Sequence, residues 1–76
     1  MPAVSLVATF RTAREVIKAD KACRIACLAV QVIAVPERIS SECGMCLAVP
    51  PESRARFLEL MNSLTIHTQL YDLSTF

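Results

Sequence analysis

Hydrophobic and polar residues along this chain follow two spacings, one with a period of two and one with a period near 3.6. VSLVATF, residues 4–10, alternates and is rich in β-branched and aromatic residues, which is typical of a strand. Three further apolar or alternating runs end at a proline or in polar residues: VQVIAV (30–35), MCLAV (45–49) and TIHTQLY (65–71). We expect four strands, the second of them buried, since Gln31 is its only polar residue.

The segment from Thr12 to about Leu28 has the spacing of an amphipathic helix. Thr12 followed by Glu15 fits a capping box, in which the two side chains cap each other's backbone N–H groups. Charged residues take one face. The apolar residues at helical spacing, which predict the other face, are Ala13, Val16, Ile17, Cys23, Ala26 and Cys27.

A second helix is predicted from about Glu52 to Asn62. Pro51 is suited to the first position of a helix, because its fixed φ is helical and its missing N–H would have had no partner there. The residues expected to face inward are Phe57, Leu58 and Met61. The final DLSTF is predicted to be a loosely held tail.

The predicted order β-α-β-β-α-β indicates an α+β, ferredoxin-like fold. Right-handed crossovers place both helices on one face of a four-stranded antiparallel sheet with strand order 4-1-3-2. We expect a single domain over residues 1–76, with a core of about 4–72. Many unrelated functions share this fold, so it says little about activity.

Composition and charge limit the classes of partner that this protein is expected to bind. The 76 residues carry 8 Lys and Arg against 7 Asp and Glu, a formal charge of +1, with no basic stripe. The longest apolar run is interrupted by Gln31 and stopped by Pro36, short of the roughly 18 residues of a membrane span. We expect a soluble protein that binds neither nucleic acid nor membrane.

The chemical state expected of the cysteines depends on the cellular compartment. The N-terminus lacks the charged leader of a secretory signal, which predicts a cytoplasmic protein. In a reducing cytoplasm, four cysteines are thiols, metal ligands or catalytic groups rather than a disulfide framework.

The stretch PERISSECGMC, residues 36–46, holds the most informative thiol. The topology brings this loop to the sheet edge where the first helix begins, close to Arg11. A helix N-terminus offers backbone N–H groups and about half a positive charge, which favour a thiolate. Arg11 and Arg38 would add to that effect and Glu42 would oppose it. We predict that Cys43 is an exposed, reactive thiol in a small anion-binding site; the alternative is a loop cysteine without a task.

Cys46 completes a Cys-x-x-Cys with Cys43. If residues 44–46 are extended, the two Cα atoms are roughly 10 Å apart, whereas a disulfide needs less than about 7 Å. Only a turn at Gly44 would shorten that distance. Because the pair precedes a strand and not a helix, a dithiol oxidoreductase is disfavoured, and Cys46 is interpreted mainly as a buried strand residue.

Metal binding is a second use for the pair. Thiolates suit zinc or monovalent copper, and Cys43 and Cys46 could bind one with ligands from a second copy. Cys23 and Cys27 are assigned to core packing, and His67 to the surface or a sheet edge. With no glycine-rich phosphate loop and no paired acidic cluster, a non-enzymatic role is favoured over a self-contained enzyme.

VIAVPERISSECGMCL, residues 32–47, resembles the signature of a family of small bacterial and archaeal domains of unknown function, described as selenium/sulfur carrier-like proteins. In that signature a strand ends in Pro-x-Arg and is followed by a Ser-rich turn and Cys-Gly. VATF at residues 7–10 is similar to the family's opening, so the resemblance extends over about residues 4–72.

The resemblance implies that Cys43 holds sulfur or selenium as a persulfide or selenopersulfide. A donor such as a cysteine desulfurase would load it, and an acceptor enzyme would take it; no cofactor is implied. The residues that the resemblance places around the sulfur are Arg38, Ser40, Ser41 and Gly44. Gly44 would let the backbone approach without a Cβ in the way.

Some residues depart from that signature. Arg11 stands where the family more often has a small or turn-forming residue, and Cys23, Cys27 and Cys46 are not part of the signature. Cys46 either resolves a persulfide on Cys43 or only packs.

Three hypotheses follow. The leading one is a sulfur or selenium carrier that acts through Cys43. The second is a soft-metal module that uses Cys43 and Cys46. The third is an interaction domain that docks a partner through a sheet face or edge strand while its cysteines are inert; homodimer formation is left open.

Overall fold

The computed structural model describes residues 6–36, 39 and 44–73. The predicted site residues Arg38, Ser40, Ser41 and Cys43 lie outside this described part. The elements, in order, are β1 Leu6–Thr9, α1 Ala13–Ile25, β2 Gln31–Ala34, β3 Met45–Ala48, a 3₁₀ turn Pro51–Ser53, α2 Arg54–Ser63 and β4 Gln69–Asp72. The predicted β-α-β-β-α-β order is confirmed.

The four strands form one antiparallel sheet in the order β2-β3-β1-β4, which is the predicted 4-1-3-2 order read from the other side. Val7 pairs with Ala48 and Thr9 with Cys46 across β1 and β3. The α+β, ferredoxin-like fold is therefore confirmed, and β1 lies in the interior of the sheet between β3 and β4.

Both helices pack on the same face of the sheet. Their buried side chains join those of alternate strand positions in one core, whose largest fully buried members include Phe57, Leu47, Met61 and Val16. Alternation along the strands assigns Leu6 and Ala8 to this helical face and Val7 to the opposite one. Burial of this one apolar core is the main source of the domain's stability.

The opposite face of the sheet carries a second, smaller cluster. Val7, Cys46 and Ile39 are buried in it, at 0%, 0% and 6% exposure. Val7 and Cys46 belong to strands, whereas Ile39 comes from the segment between β2 and β3. β1 is therefore buried on both faces, as its four buried residues require.

The prediction that the second strand, β2, is buried is wrong. Gln31, Val32 and Ala34 are exposed and Ile33 is half-buried. The reason is its place at the edge: among the described strands, β2 pairs with β3 alone, and Val32 keeps 44% of its surface exposed. An uncharged apolar run resembles a buried strand, although here it forms a sheet edge.

The predicted inward faces of the helices need correction. Val16 and Cys23 of α1 are buried, but Ile17 is 63% exposed, and Cys27 lies beyond the helix on the surface. Ala13 is exposed as well. In α2, Phe57 and Met61 face inward as predicted, whereas Leu58 is 40% exposed.

The two helices end in the same way, and α1 ends at Ile25, earlier than the predicted end near Leu28. After α1, Leu28 N–H donates to Cys23 O over 2.8 Å and Cys27 N–H to Arg24 O over 3.1 Å. This is the Schellman arrangement, and it places Cys27 in the left-handed region at φ 61°.

After α2, the corresponding bonds join Ile66 N–H to Met61 O, 3.0 Å, and Thr65 N–H to Asn62 O, 3.1 Å. Thr65 has φ 56° and so begins no strand. β4 starts at Gln69 rather than at residue 65 and extends to Asp72, which was predicted to lie in the tail. Within the described residues, neither helix is long and apolar enough to cross a bilayer.

Candidate functional site

The predicted site edge contains the N-terminus of α1. The Thr12 hydroxyl accepts a hydrogen bond from Glu15 N–H at 3.2 Å, so the Thr12 half of the capping box forms. Glu15 Oε1 is buried and has no hydrogen-bond partner among the described residues. No described residue accepts the backbone N–H groups of Ala13 and Arg14. Backbone N–H groups without an acceptor at a helix N-terminus favour a nearby anion.

Arg11 directly precedes this helix end and is exposed. The β1–β3 register, in which Thr9 faces Cys46, would bring Arg11 level with Gly44 if it continued two residues beyond the strands. Two of the predicted binding residues, Arg11 and Gly44, therefore lie at the same edge of the sheet.

The segment between β2 and β3 is fixed at three described points. Ile39 N–H donates to Pro36 O over 2.9 Å, which closes a turn after β2. Val35 N–H donates to Gly44 O over 3.2 Å and extends the β2–β3 ladder by one pair. The side chain of Ile39 is buried against the sheet. Ile39 and Gly44 are therefore the two described positions that flank residues 40–43.

Gly44 has φ 74°, in the left-handed region that strains most other residues. A Cβ built on it would meet no atom of the described chain within 4 Å. The expectation that Gly44 lets the backbone approach the sulfur concerns residue 43, which lies outside the described part, and it stays a prediction; the backbone conformation of Gly44 by itself favours glycine. The chain bends there, so residues 44–46 are not fully extended.

Cys46 lies in β3 and is fully buried, as predicted for a strand residue. Its side chain belongs to the cluster on the helix-free face, with Val7 and Ile39. Cys46 Sγ is 4.0 Å from the Ala34 carbonyl oxygen, a long contact for a thiol donor. The Cys46 side chain therefore packs in the cluster on the helix-free face of the sheet and is not exposed to solvent.

Cys23 and Cys27 have different environments despite their spacing. Cys23 is buried in the main core, as predicted, and burial together with the nearby Asp20 carboxylate raises the pKa of its thiol above the ordinary 9.0. Cys27 is exposed, so its assignment to core packing is wrong. His67 is exposed and precedes β4, which fits its predicted surface position.

A metal site requires several ligand side chains that lie close together. Within residues 6–36, 39 and 44–73, no group of three or more His, Cys, Asp or Glu side chains is arranged to hold a metal ion. The predicted pair of Cys43 and Cys46 includes a residue outside the described part, so a site built on that pair stays a prediction.

Ile39 is the residue near the site whose role the sequence reasoning missed. It is an apolar side chain within the polar stretch ERISSE, and it is 6% exposed. A large aliphatic residue alone in a polar loop is a sign of an anchor that packs on a neighbouring surface.

Comparison with known proteins assigns the chain to a family. A search of curated proteins and a search of solved structures each gave no significant match. The model of a protein family described as "Putative Se/S carrier protein-like" matches residues 5–71, which include β1 and the whole segment between β2 and β3. The match extends over most of the 76 residues, and the chain belongs to this selenium/sulfur carrier-like family.

Proposed function

We propose that this protein is a carrier that holds sulfur or selenium on Cys43, as a persulfide or selenopersulfide, and passes it between partner enzymes. The observation that carries the proposal is the family match over residues 5–71, which contains the Ser-x-x-Cys-Gly stretch. The family description extends to a selenium/sulfur carrier, which implies partner enzymes without naming them. The identity of the thiol and the form of the cargo are our inference.

Loading is a thiol exchange that needs no outside oxidant. The Cys43 thiolate attacks the terminal sulfur of a donor's persulfide, a new S–S bond forms, and the donor's own S–S bond breaks. The donor cysteine leaves as a thiolate. Unloading repeats the step with an acceptor nucleophile, and Cys43 is then the leaving thiolate. A cysteine desulfurase has the chemistry required of the donor.

The described surroundings support an anion at this edge. The N–H groups of Ala13 and Arg14 and the guanidinium of Arg11 provide positive potential at the start of α1. Arg38, Ser40 and Ser41 are the further donors that the sequence proposes for the terminal sulfur. A small protein of this design offers its thiol to enzymes that perform the chemistry.

The test is an intact-mass measurement of reduced protein after incubation with a cysteine desulfurase and cysteine. We expect the wild type to gain the mass of one sulfur atom, removable by dithiothreitol, and Cys43→Ser to gain none. Cys27→Ser is the matched control, because Cys27 is an exposed thiol whose loss should leave loading normal. Loading of Cys43→Ser equal to that of the wild type would overturn the assignment.

The soft-metal hypothesis gives a different result in a parallel measurement. If Cys43 and Cys46 bind zinc or copper between two copies, protein purified without chelator will contain half an equivalent of metal per chain or more. Elemental analysis of the wild type beside Cys43→Ser decides it. A carrier thiol predicts no such stoichiometric metal in either protein.

A further inference from the structure

The outer edge of β2 carries backbone hydrogen-bonding groups that point away from the sheet. Val35 N–H donates to Gly44 O over 3.2 Å and continues the β2–β3 register, so Val35 points toward β3. In an antiparallel pair, the direction of the N–H and C=O groups alternates from one residue to the next. The backbone groups of Val32 and Ala34 therefore point outward, away from β3.

The β1–β3 ladder gives the same alternation. Val49 N–H donates to Leu6 O over 2.9 Å, so the odd-numbered residues of β3 bond to β1. The even-numbered residues of β3 therefore bond to β2, where their register partners are Gln31 and Ile33. The outward residues of β2 are thus the even-numbered ones.

This edge is open within the part of the chain that the structure describes. No described residue accepts the N–H groups of Val32 or Ala34. The Ala34 carbonyl has a contact with the Cys46 thiol at 4.0 Å, which is too long to satisfy the oxygen. The Val32 side chain is 44% exposed and Ala34 is exposed as well. The edge can therefore accept a further strand.

We propose that the outer edge of β2 pairs with the same edge of a second copy of this chain. The two strands run antiparallel, and the two four-stranded sheets become one continuous sheet. This inference goes beyond the proposed function and does not rest on it, because the pairing makes no use of the Cys43 thiol.

A second copy fits because the edge is complementary to itself. With a two-fold axis at Ile33, Val32 lies opposite Ala34 of the second copy, and Ala34 lies opposite its Val32. Each of these pairs exchanges two backbone hydrogen bonds, so all outward N–H and C=O groups within Gln31–Ala34 find partners. Ile33 of one copy faces Ile33 of the other, an aliphatic cross-strand pair.

Charge favours β2 over β4, the other edge of the sheet. In a symmetric pairing, a charged side chain lies close to its own equivalent and repels it. The chain has no charged residue from Leu28 to Pro36. By contrast, β4 carries the exposed Asp72, and a charged side chain on an edge strand is a common protection against pairing. Two copies can therefore meet through β2 without like-charge repulsion.

The first experiment measures the mass of the full chain by sedimentation equilibrium. Reductant and chelator are present, because they prevent dimers linked by a disulfide or a metal ion. Two short strands form a small interface, so we expect a dissociation constant on the order of 100 μM. The mass should rise from that of one chain toward that of two. A mass of one chain up to about tenfold above that concentration would overturn the proposal.

Two variants weaken the pairing by different means. Val32→Lys places like charges at the paired edge and should weaken association about tenfold or more. Ala34→Pro removes an outward N–H that the β2–β3 ladder does not use, so two of the four intermolecular hydrogen bonds are lost while the sheet keeps its own. We expect it to associate more weakly than the wild type.

Ile25→Lys is the matched control, because it also replaces an exposed aliphatic residue by lysine, in α1 and away from the edge. Ile25 is 79% exposed, so this variant should associate like the wild type. Cys43→Ser should do so too, whether or not the wild type takes up sulfur. Failure of the carrier proposal is thereby separate from failure of this one. Equal association of Val32→Lys and Ile25→Lys would overturn the pairing.

Amide hydrogen exchange followed by NMR locates the contact without any variant. When about nine tenths of the chains are dimeric, the Val32 and Ala34 N–H groups should exchange about tenfold more slowly than in dilute protein, because exchange then proceeds from the remaining free chains. Leu70 is the internal control, since its register neighbours Gln69 and Tyr71 are the β4 residues that bond to β1. Slowing at Leu70 and not at Val32 and Ala34 would overturn the proposal.

The same measurement separates a second copy from another partner. If the protein alone stays monomeric and the Val32 and Ala34 amides slow only when a cysteine desulfurase is added, the edge binds an enzyme and the proposal is overturned. Circular dichroism checks that each variant is folded. If Val32→Lys is not, Ala34→Pro and hydrogen exchange in the wild type decide the question.

Discussion

At the scale of single residues, the three described cysteines are chemically distinct although all are thiols. Cys23 is held in the main core, Cys46 in the small cluster on the other face, and Cys27 faces solvent. Reactivity of a thiol depends on access and on its pKa. Alkylating reagents applied to the folded protein should therefore reach Cys27 well before Cys23 or Cys46.

The raised pKa of Cys23 makes the stability of the fold depend on alkaline pH. Below 9.0 the thiol is protonated in the folded and the unfolded state, so its contribution is complete. Above 9.0 the unfolded chain loses this proton first, and stability falls until the folded thiol ionises too. The loss approaches about 1.4 kcal/mol per pH unit in that window.

Urea unfolding from pH 7.5 to 10 measures this effect as a difference between variants. Wild type should lose its advantage over Cys23→Ala as pH rises, because only the wild type carries the buried thiol. Cys27→Ala, which lacks an exposed thiol, should follow the wild type at every pH. A wild-type advantage over Cys23→Ala that is constant with pH would contradict the prediction.

Sequence reasoning was sound for Cys46 and wrong for Cys27, for a physical reason. Cys46 stands inside a short, wholly apolar run, residues 45–49, which is stopped by Pro50 and Pro51 and is typical of a buried strand. Cys27 continues the helical spacing of Val16 and Cys23, but the helix has already ended. The spacing of apolar residues alone does not show where the backbone hydrogen bonds of a helix end.

At the scale of elements, the end of α1 and the start of β4 were the least predictable features. The position that follows each helix is left-handed in both cases, and glycine usually marks it. This chain has one glycine, Gly44, and uses Cys27 and Thr65 instead. Thr65 is β-branched, so it suggested a strand start. The sequence still carries one sign of each helix end, because every Schellman motif here brings two buried apolar residues together. Met61 and Ile66 are such a pair.

Thr65→Gly should stabilise the protein. A left-handed conformation costs a side-chain-bearing residue about 1–2 kcal/mol, and glycine's extra freedom in the unfolded chain offsets roughly 0.5–1 kcal/mol of that gain. Thr65 is exposed, so little packing is lost. We expect a net gain of about 0.5–1 kcal/mol in the free energy of unfolding, measured by urea titration.

Thr68→Gly is the comparison for that substitution. Thr68 Oγ1 donates to Thr9 O over 3.0 Å and ties the segment before β4 to β1. Its replacement should destabilise the protein by about 1 kcal/mol or more. If Thr65→Gly destabilises to a similar extent, the left-handed strain at residue 65 is not significant.

At the scale of the whole molecule, topology was predictable and exposure was not. Handedness and short connections leave few arrangements for β-α-β-β-α-β, so the strand order followed from the element order. The exposure of Val32 depends on which strands lie at the edges and on how far α1 extends over β2. Likewise, the second cluster arises because Ile39 packs across the sheet, a long-range contact that no local pattern encodes.

A domain of this size has little stability to lose. A chain of 76 residues is expected to be stable by about 4–11 kcal/mol, and truncating a buried Phe costs about 3–5 kcal/mol. Phe57→Ala should therefore lower the free energy of unfolding by about 3–5 kcal/mol, which is a large part of the total. Leu58→Ala, its neighbour at 40% exposure, should cost about 1 kcal/mol or less.

Circular dichroism during urea unfolding compares the two variants directly. Phe57 is fully buried between α2 and the sheet, so its loss removes packing that no other residue replaces. Equal unfolding midpoints for Phe57→Ala and Leu58→Ala would show that the core is not centred on Phe57.

The hydrogen bond from Val35 N–H to Gly44 O has a consequence for delivery. It ties down the residue that follows position 43 in the chain. A thiol at position 43 is therefore tethered to a fixed point by one peptide unit, about 3.8 Å between Cα atoms. A carrier with a long swinging arm can insert its cargo deep into an enzyme. If Cys43 carries the cargo as we propose, so short a tether requires a partner enzyme to present its reacting group close to its own surface.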